Sequence, residues 1–513
     1  MQFTKKGFLL VLAGMFSIVL GITLTGCDVF GPERDAPNET QDSSGILERK
    51  DILALSHLAE DHITGAEDMA VKVNDFFQDK TGSRSVAAST PVISGVKTFT
   101  STVPTGFASK PSNARSVDEA IEPSDIPFYI FSLENPVEET EGFAITCGDN
   151  RIGDIIAVVE NGAWDDPENP FLEVFYTNLG AYIMDTIDIY NSITDEDIVD
   201  AVAKAEDVDA DNPRAVSNST MYDFNAPNPP RLATQWNQFY PYYDVINSVY
   251  GRLNYSVYDK YVTGCVATAM AQIMAYHKWP AASALTGSFI DPYNTTQIKN
   301  FTDQSVKNYD WAAMVPGWPG YPSLPSGTDA TRQIGVLMYE IGKNVNMAYG
   351  SSKTGGSSTL SKTTAIPAFI KMGYKTPSPH QAYSFSAVQS SIDEKKPVFI
   401  RAYSTMTTTT TYSWIDIFHW FPRTSTTPGG GHAWVIDDYR TRTLVLPIFS
   451  FNIVLPVPYV WCNLGGGGTS DGWYVSGMFD TKVGPVSATR SVQGVEGNFQ
   501  FDIGIIPNIT PNR

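Results

Sequence analysis

Tyr261-Val-Thr-Gly-Cys-Val-Ala-Thr-Ala-Met-Ala-Gln-Ile-Met-Ala-Tyr-His-Lys-Trp-Pro280 is the stretch from which the rest of the chain can be read. Apolar side chains fall at Val266, Met270, Ile273, Met274 and Tyr276, with Ala267, Ala269 and Ala271 between them. That is helical spacing filled with strong helix formers. Trp279-Pro280 ends the run. Cys265 therefore falls in the first turn, after Thr263-Gly264. A helix N-terminus offers unpaired N–H groups and partial positive charge, and both favour thiolate over thiol. A Cys in a helix without such a setting is more simply a small buried hydrophobe.

A thiolate nucleophile needs a base, and the chain has six His. His277 lies on the same helix, roughly 18 Å from Cys265 at about 1.5 Å rise per residue, and is out of reach. His57 and His62 flank an amphipathic segment and read as surface residues. His380 and His419 have no distinctive neighbours. His432 stands in Gly429-Gly-Gly-His-Ala-Trp-Val-Ile-Asp437, where an apolar β-type run follows three glycines. Glycines there allow a second backbone, such as a bound substrate, to come close.

The Cys helix, the Gly-Gly-His strand and Thr234-Gln-Trp-Asn-Gln-Phe-Tyr-Pro-Tyr242 together resemble the streptopain family, secreted bacterial cysteine peptidases. The resemblance implies an α+β fold: a papain-like two-lobe peptidase, one lobe helical and one antiparallel β, preceded by an α+β prodomain. It implies Cys265 as nucleophile, His432 as its partner and Asn463 as the group that orients His432. It assigns the oxyanion donor to Gln238, with Gln235 as the other candidate, and substrate contacts to Thr354 and Gly431. Asn463-Leu-Gly-Gly-Gly-Gly-Thr-Ser-Asp-Gly472 departs from the family's Asn-Trp-Gly-Trp-Gly-Gly-x-Ser-Asp-Gly element, because Leu464 and Gly466 replace both Trp. The implied shielding of the His–Asn contact is thereby reduced. An aromatic insertion at 406–428 is longer than the family's connection and is open to three readings: a lining of the substrate cleft, a membrane- or partner-facing rim, or packing on the domain.

Before residue 231 the chain has a different character. Lys5-Lys6, an apolar run from Gly7 to Ile22 and Leu24-Thr-Gly-Cys27 read as a secretory signal with a lipobox-like end. Cys27 is then the lipidated first residue of the mature chain, and the membrane is a partner through it. Residues 28–45 are a polar tether. Residues 46–215 read as an inhibitory prodomain: helical spacing to about residue 80, three short strands at 128–133, 142–151 and 155–162, and a helix from Phe171 to Tyr190. Gly142-Phe-Ala-Ile-x-x-Gly-Asp-x-Arg151 resembles the streptopain propeptide, and Cys147 within it reads as core. The acidic, then Pro- and Asn-rich stretch from Asp195 to Asn228 reads as exposed, with the linker proper at 216–230. Residues 231–513 are the peptidase domain.

Charge divides the same way. Residues 28–230 carry a net −27 and residues 231–513 a net +5, within −20 for the whole. An acidic piece facing a basic one suits a mask docked by opposite charge. The overall acidity argues against a nucleic-acid partner. Four Cys are too few for a disulfide framework, and no His-Glu-x-x-His signature occurs. Neither a metal nor a cofactor is expected. The implied substrates are proteins or peptides, with the chain's own prodomain as intramolecular inhibitor. A second reading is a peptidase fold kept as a surface adhesin of weak or no activity. A third is a Cys–His acyl transferase.

Overall fold

One sheet runs through both halves of the sequence. The structure, a computed structural model, describes residues 49–59, 61–78, 91–100, 126–136, 139–166, 169–211, 223–225, 231–315, 327–354, 356–359, 364–375, 380–412, 422–448, 451–479 and 503–513. The lipobox-like Cys27 and the aromatic centre of the 406–428 insertion, 413–421, lie outside these residues.

The pro-region supplies helices α1 (Arg49–Ser56) and α2 (Ala66–Gln78) and strands β1 (Val92–Thr100), β2 (Pro127–Asn135), β3 (Thr140–Cys147) and β4 (Ile155–Val159). Helices α3 (Pro170–Ser192) and α4 (Asp195–Asp211) follow, and β5 (Asp223–Asn225) lies in the linker. The peptidase half adds α5 (Asp244–Val249), α6 (Cys265–His277), α7 (Asp329–Asn344) and strands β6 (Gln381–Ala382), β7 (Val398–Tyr412) and β8 (Pro422–Ile448). The sheet is completed by β9 (Phe451–Asn463), β10 (Gly472–Val475) and β11 (Gly504–Ile506). Its order is β1-β2-β3-β4-β10-β9-β8-β7-β11-β6, with β5 paired to β8. All its pairings are antiparallel. The fold is thus α+β, with a helical lobe built on α5, α6 and α7.

The joint between the two halves is β4 against β10, with Gly472 opposite Val159 and Tyr474 opposite Ala157. Gly472 is required there, because a Cβ on it would meet the Val158 carbonyl oxygen at 2.6 Å. Helix α3 then lies across β7 and β8. Asn169 caps its first turn by accepting from Phe171 N–H, and Pro170 occupies the first helical position. Phe171 and Phe175 sit 5.1 and 5.3 Å from Tyr474, and Phe171 5.3 Å from Trp434. Phe76 of α2 packs on Tyr459 at 5.5 Å, with the Arg440 and Arg442 guanidinium carbons 4.4 and 4.8 Å from its ring centre. The two halves share one continuous buried core, which includes Phe131, Phe143, Phe171 and Phe175 from the first and Trp434, Tyr459, Tyr474 and Phe479 from the second. A second core fills the helical lobe beneath α6 and α7.

Among the described residues, strand pairing and aromatic rings join the two halves. Three expectations need correction. Asp195 to Asp211 is a helix whose Ile198, Ala201 and Ala205 are buried, not exposed chain; its acids mask a short apolar stripe. Residues 223–225 of the linker are held as a strand on β8. His57 and His62 are half-buried: His57 stacks on Tyr190 at 3.9 Å, and His62 meets Asn150 Oδ1 at 3.2 Å.

A shared core of this kind melts as one unit. Calorimetry of the full chain is expected to show a single transition covering both halves. Phe175→Ala should destabilise it by about 3–5 kcal/mol. Separate transitions for the two halves would contradict the single core.

Candidate active site

Cys265 opens α6, as its spacing predicts. Gly264 holds φ at +88°, and a Cβ on it would lie 2.7 Å from Met347 Cε, so no other residue fits before the Cys without strain. Thr268 Oγ1 locks the turn through Gly264 O (3.2 Å) and Thr263 Oγ1 (2.9 Å). The half-buried thiol receives the N–H groups of Ala433, Val266 and Cys265 itself, each of which lowers its pKa. Burial outweighs them and pushes the thiol up. The helix terminus therefore acts in the expected direction, but the folded chain holds a thiol and not a thiolate.

The reason is the position of His432. Side chains alternate across a strand, and directly paired residues of an antiparallel sheet share a face. Ala433 and Val435 of β8 face the helical lobe, in the core that Cys265 packs against. Trp434 and Ile436 face the pro-region core, and so does His432, which pairs with Ala402 of that same core. Its ring lies 6.2 Å from Phe171 and 6.0 Å from Trp434. Cys265 thus meets the backbone next to His432 while the imidazole lies on the opposite side of the strand. The expected sulfur–imidazole contact is not made in this structure, because Phe171 and Trp434 pack against the ring on the far face. Nε2 contacts Leu464 O at 2.8 Å, and Nδ1 is buried without a hydrogen-bond partner. Burial lowers the His432 pKa to about 4, so the ring is neutral where the resting pair requires imidazolium.

Asn463 does not touch His432 here. Its Oδ1 accepts from Gln272 Nε2 (2.8 Å) and Gly465 N–H (3.3 Å), and its Nδ2 donates to Thr234 O (2.8 Å). It pairs with Val435, so it is on the Cys265 side of the sheet. Gln238 borders the Cys turn, its carbonyl accepting from Thr263 N–H at 3.1 Å. Gln235 instead lies flat on the glycine loop: a Cβ on Gly468 would come within 2.6 Å of its amide atoms. Gln235 and Asn237 thus lie against Gly468 and Gly467 of this loop.

Thr354 is exposed, and its Oγ1 accepts from Ser351 N–H at 2.8 Å within its own short turn. That turn is pinned beside the Cys segment by Val262 N–H to Gly350 O (3.0 Å) and Ser357 Oγ to Val262 O (2.7 Å). Gly431 is exposed and pairs with Tyr403. Cys147 is buried in β3, as expected. Among the described residues no group of three or more His, Cys, Asp or Glu is placed to hold a metal ion. Sequence reasoning missed Phe171 and Gln272. Gln272 had a signal, as a polar residue seven positions after Cys265 in an Ala- and Met-rich helix; Phe171 had none beyond its helix.

The site thus pairs a helix-borne thiol with a strand whose imidazole faces away from it, against residues of the first half of the chain. The model of the Peptidase C10 family matches residues 236–474. Streptopain of Streptococcus pyogenes (serotype M28, strain MGAS6180) is 25% identical over 360 residues, covering 67% of this chain and 73% of the relative. The thiol protease/hemagglutinin PrtT of Porphyromonas gingivalis is 23% identical over 239 residues, 47% of this chain and 25% of the relative. The solved structure of a mutant prointerpain A fragment from Prevotella intermedia is similar at a TM-score of 0.37 and 19% identity, covering 69% of this chain and 90% of that one. Residues 236–474 thus match a cysteine peptidase family, and the chain is similar to streptopain over two thirds of its length.

The buried His432 has a pH consequence. Its folded pKa of about 4 lies below the ordinary 6.5. Above pH 6.5 the ring is neutral folded or unfolded, and stability is unaffected. Between the two values only the unfolded chain takes the proton, so stability falls as pH falls, by up to about 1.4 kcal/mol per pH unit. Urea midpoints measured from pH 7 down to 4.5 should drop more steeply for wild type than for His432→Gln. Parallel slopes would contradict the buried neutral ring.

Proposed function

We propose that the chain is a secreted, lipid-anchored cysteine endopeptidase made as a zymogen, captured here in its latent form. The observation that carries this reading is Phe171 of the pro-region against His432, on the strand face opposite Cys265. The family match over residues 236–474 supports the peptidase chemistry. The charged start, apolar run and Leu-Thr-Gly-Cys27 support secretion and anchoring.

Activation requires two events in this account. A cut between the halves frees the pro-region, which leaves one edge of β10 unpaired and uncovers His432. The Gly429-Gly-Gly-His432 segment within β8 then turns the imidazole to the Cys265 side, a change that glycine backbone permits. There the neutral ring takes the thiol proton, which relieves the buried thiol and forms the thiolate–imidazolium pair. The thiolate attacks the peptide carbonyl carbon, forming the C–S bond. Gln238 and the Cys265 N–H stabilise the oxyanion, at about 3–4 kcal/mol per well-aimed donor. Imidazolium protonates the leaving amine as the C–N bond breaks. The neutral ring next takes a proton from water, whose oxygen displaces the thiolate and releases the carboxylic acid. Asn463, already on that side of the sheet, orients the ring.

Incubation of the purified full chain should remove the acidic front piece and develop casein hydrolysis in wild type. Cys265→Ala should do neither, with kcat/KM down about 10⁴-fold or more. Equal processing in both would overturn self-activation, and equal casein hydrolysis would overturn the peptidase reading. Phe171→Ala, which removes the ring covering His432, should shorten the lag before activity. An unchanged lag would show that this ring does not hold the latent state.

A further inference from the structure

Gln272 is an anomaly of α6. The helix buries alanine, methionine and isoleucine around it, and Gln272 is itself fully buried. Burying an amide costs about 1–3 kcal/mol unless its polar atoms are matched, so an apolar residue would serve the helix better. Here both ends are matched, and the partners are informative. Nε2 donates to Asn463 Oδ1 at 2.8 Å, and Oε1 accepts from Trp236 N–H at 3.2 Å. Seven residues separate Gln272 from Cys265, two turns that bring it back to the same helix face. Thr268 lies between them on that face, with a Cβ on Gly465 calculated to sit 3.1 Å from its Cγ2.

One amide therefore ties three segments together: the helix that begins with Cys265, the strand end that carries Asn463, and the strip that leads to Gln238. It also sorts the Asn463 amide. With Gln272 as donor on one side and Thr234 O as acceptor on the other, Oδ1 must face α6 and Nδ2 must face away. That is an acceptor aimed into the side of the sheet that His432 has to enter.

We propose that Gln272 is a positioning residue for the peptidase reaction. It fixes the Asn463 carbonyl oxygen and the Trp236–Gln238 strip against Cys265 before the imidazole arrives. The assignment rests on the reading of the chain as a Cys–His peptidase. A presented acceptor stabilises imidazolium over neutral imidazole, so its loss lowers the pKa of the ring in the working enzyme.

The test uses the full chain after incubation, with casein and a fluorogenic peptide as substrates. Gln272→Met keeps the volume and removes both hydrogen bonds. It should lower kcat about 10- to 100-fold with KM little changed. It should also move the alkaline limb of the kcat profile to lower pH. Met274→Ala, buried in the same helix and remote from these contacts, is the structural control; it should lower the melting temperature and leave the limb in place. Should Gln272→Met not fold, Gln272→Glu carries the test, since it keeps the acceptor for Trp236 N–H, loses the donor to Asn463 and should show the same drop in kcat. A folded variant at 272 that melts earlier but keeps wild-type kcat and pH profile would overturn the assignment. A wild type without hydrolysis would overturn the peptidase reading and this one with it.

Discussion

The two-residue period of strand β8 is the constraint on which the structure depends. Ala433 and Val435 face the helical lobe, in the core that Cys265 packs against. Because β side chains alternate, His432 then faces the other way. While β8 is paired through His432–Ala402, the imidazole lies on the face of Ala402 and Trp434. In the proposed zymogen reading, latency is a matter of the face that the imidazole occupies.

The pro-region stabilises that register from two directions. Its strand β4 extends the sheet at β10, and its helix α3 lays Phe171 and Phe175 over the far face of β7 and β8. Each buried Phe contributes about 1.5–3 kcal/mol of burial free energy. Those rings surround a neutral imidazole, which they favour over imidazolium by desolvation. The thiol on the other face is disfavoured as thiolate for the same reason, burial. Both partners of the reaction are therefore held in their uncharged forms, each by its own core. Bringing them to one side makes the proton transfer between them favourable.

Much of this architecture was legible in the sequence. The Cys helix has an unbroken apolar period and a Gly at its start, so its limits and the place of Cys265 could be read directly. The strands of the pro-region alternate between turn residues and were equally plain. The face presented by His432 was not legible. Ala433 and Val435 on one side of β8 and Trp434 and Ile436 on the other are all apolar, and a strand buried on both faces carries no inside–outside signal. The helix from Asp195 was hidden because acids surround its three buried apolar positions. The replacement of two aromatic residues at 464 and 466 read as a loss of shielding; in the fold, Gln235 and Asn237 lie against the glycine loop instead. The separation of acidic and basic halves carried no signal for the strand pairing and aromatic packing between them.

The most direct measurement is the accessibility of the His432 ring. Diethylpyrocarbonate modification can be followed at this residue by peptide mass spectrometry in the full-length Cys265→Ala chain, before and after an added protease removes the residues ahead of 231. The account predicts that His432 resists modification in the intact chain at pH 7 and becomes reactive once the front piece has gone. Equal reactivity in both states would contradict it.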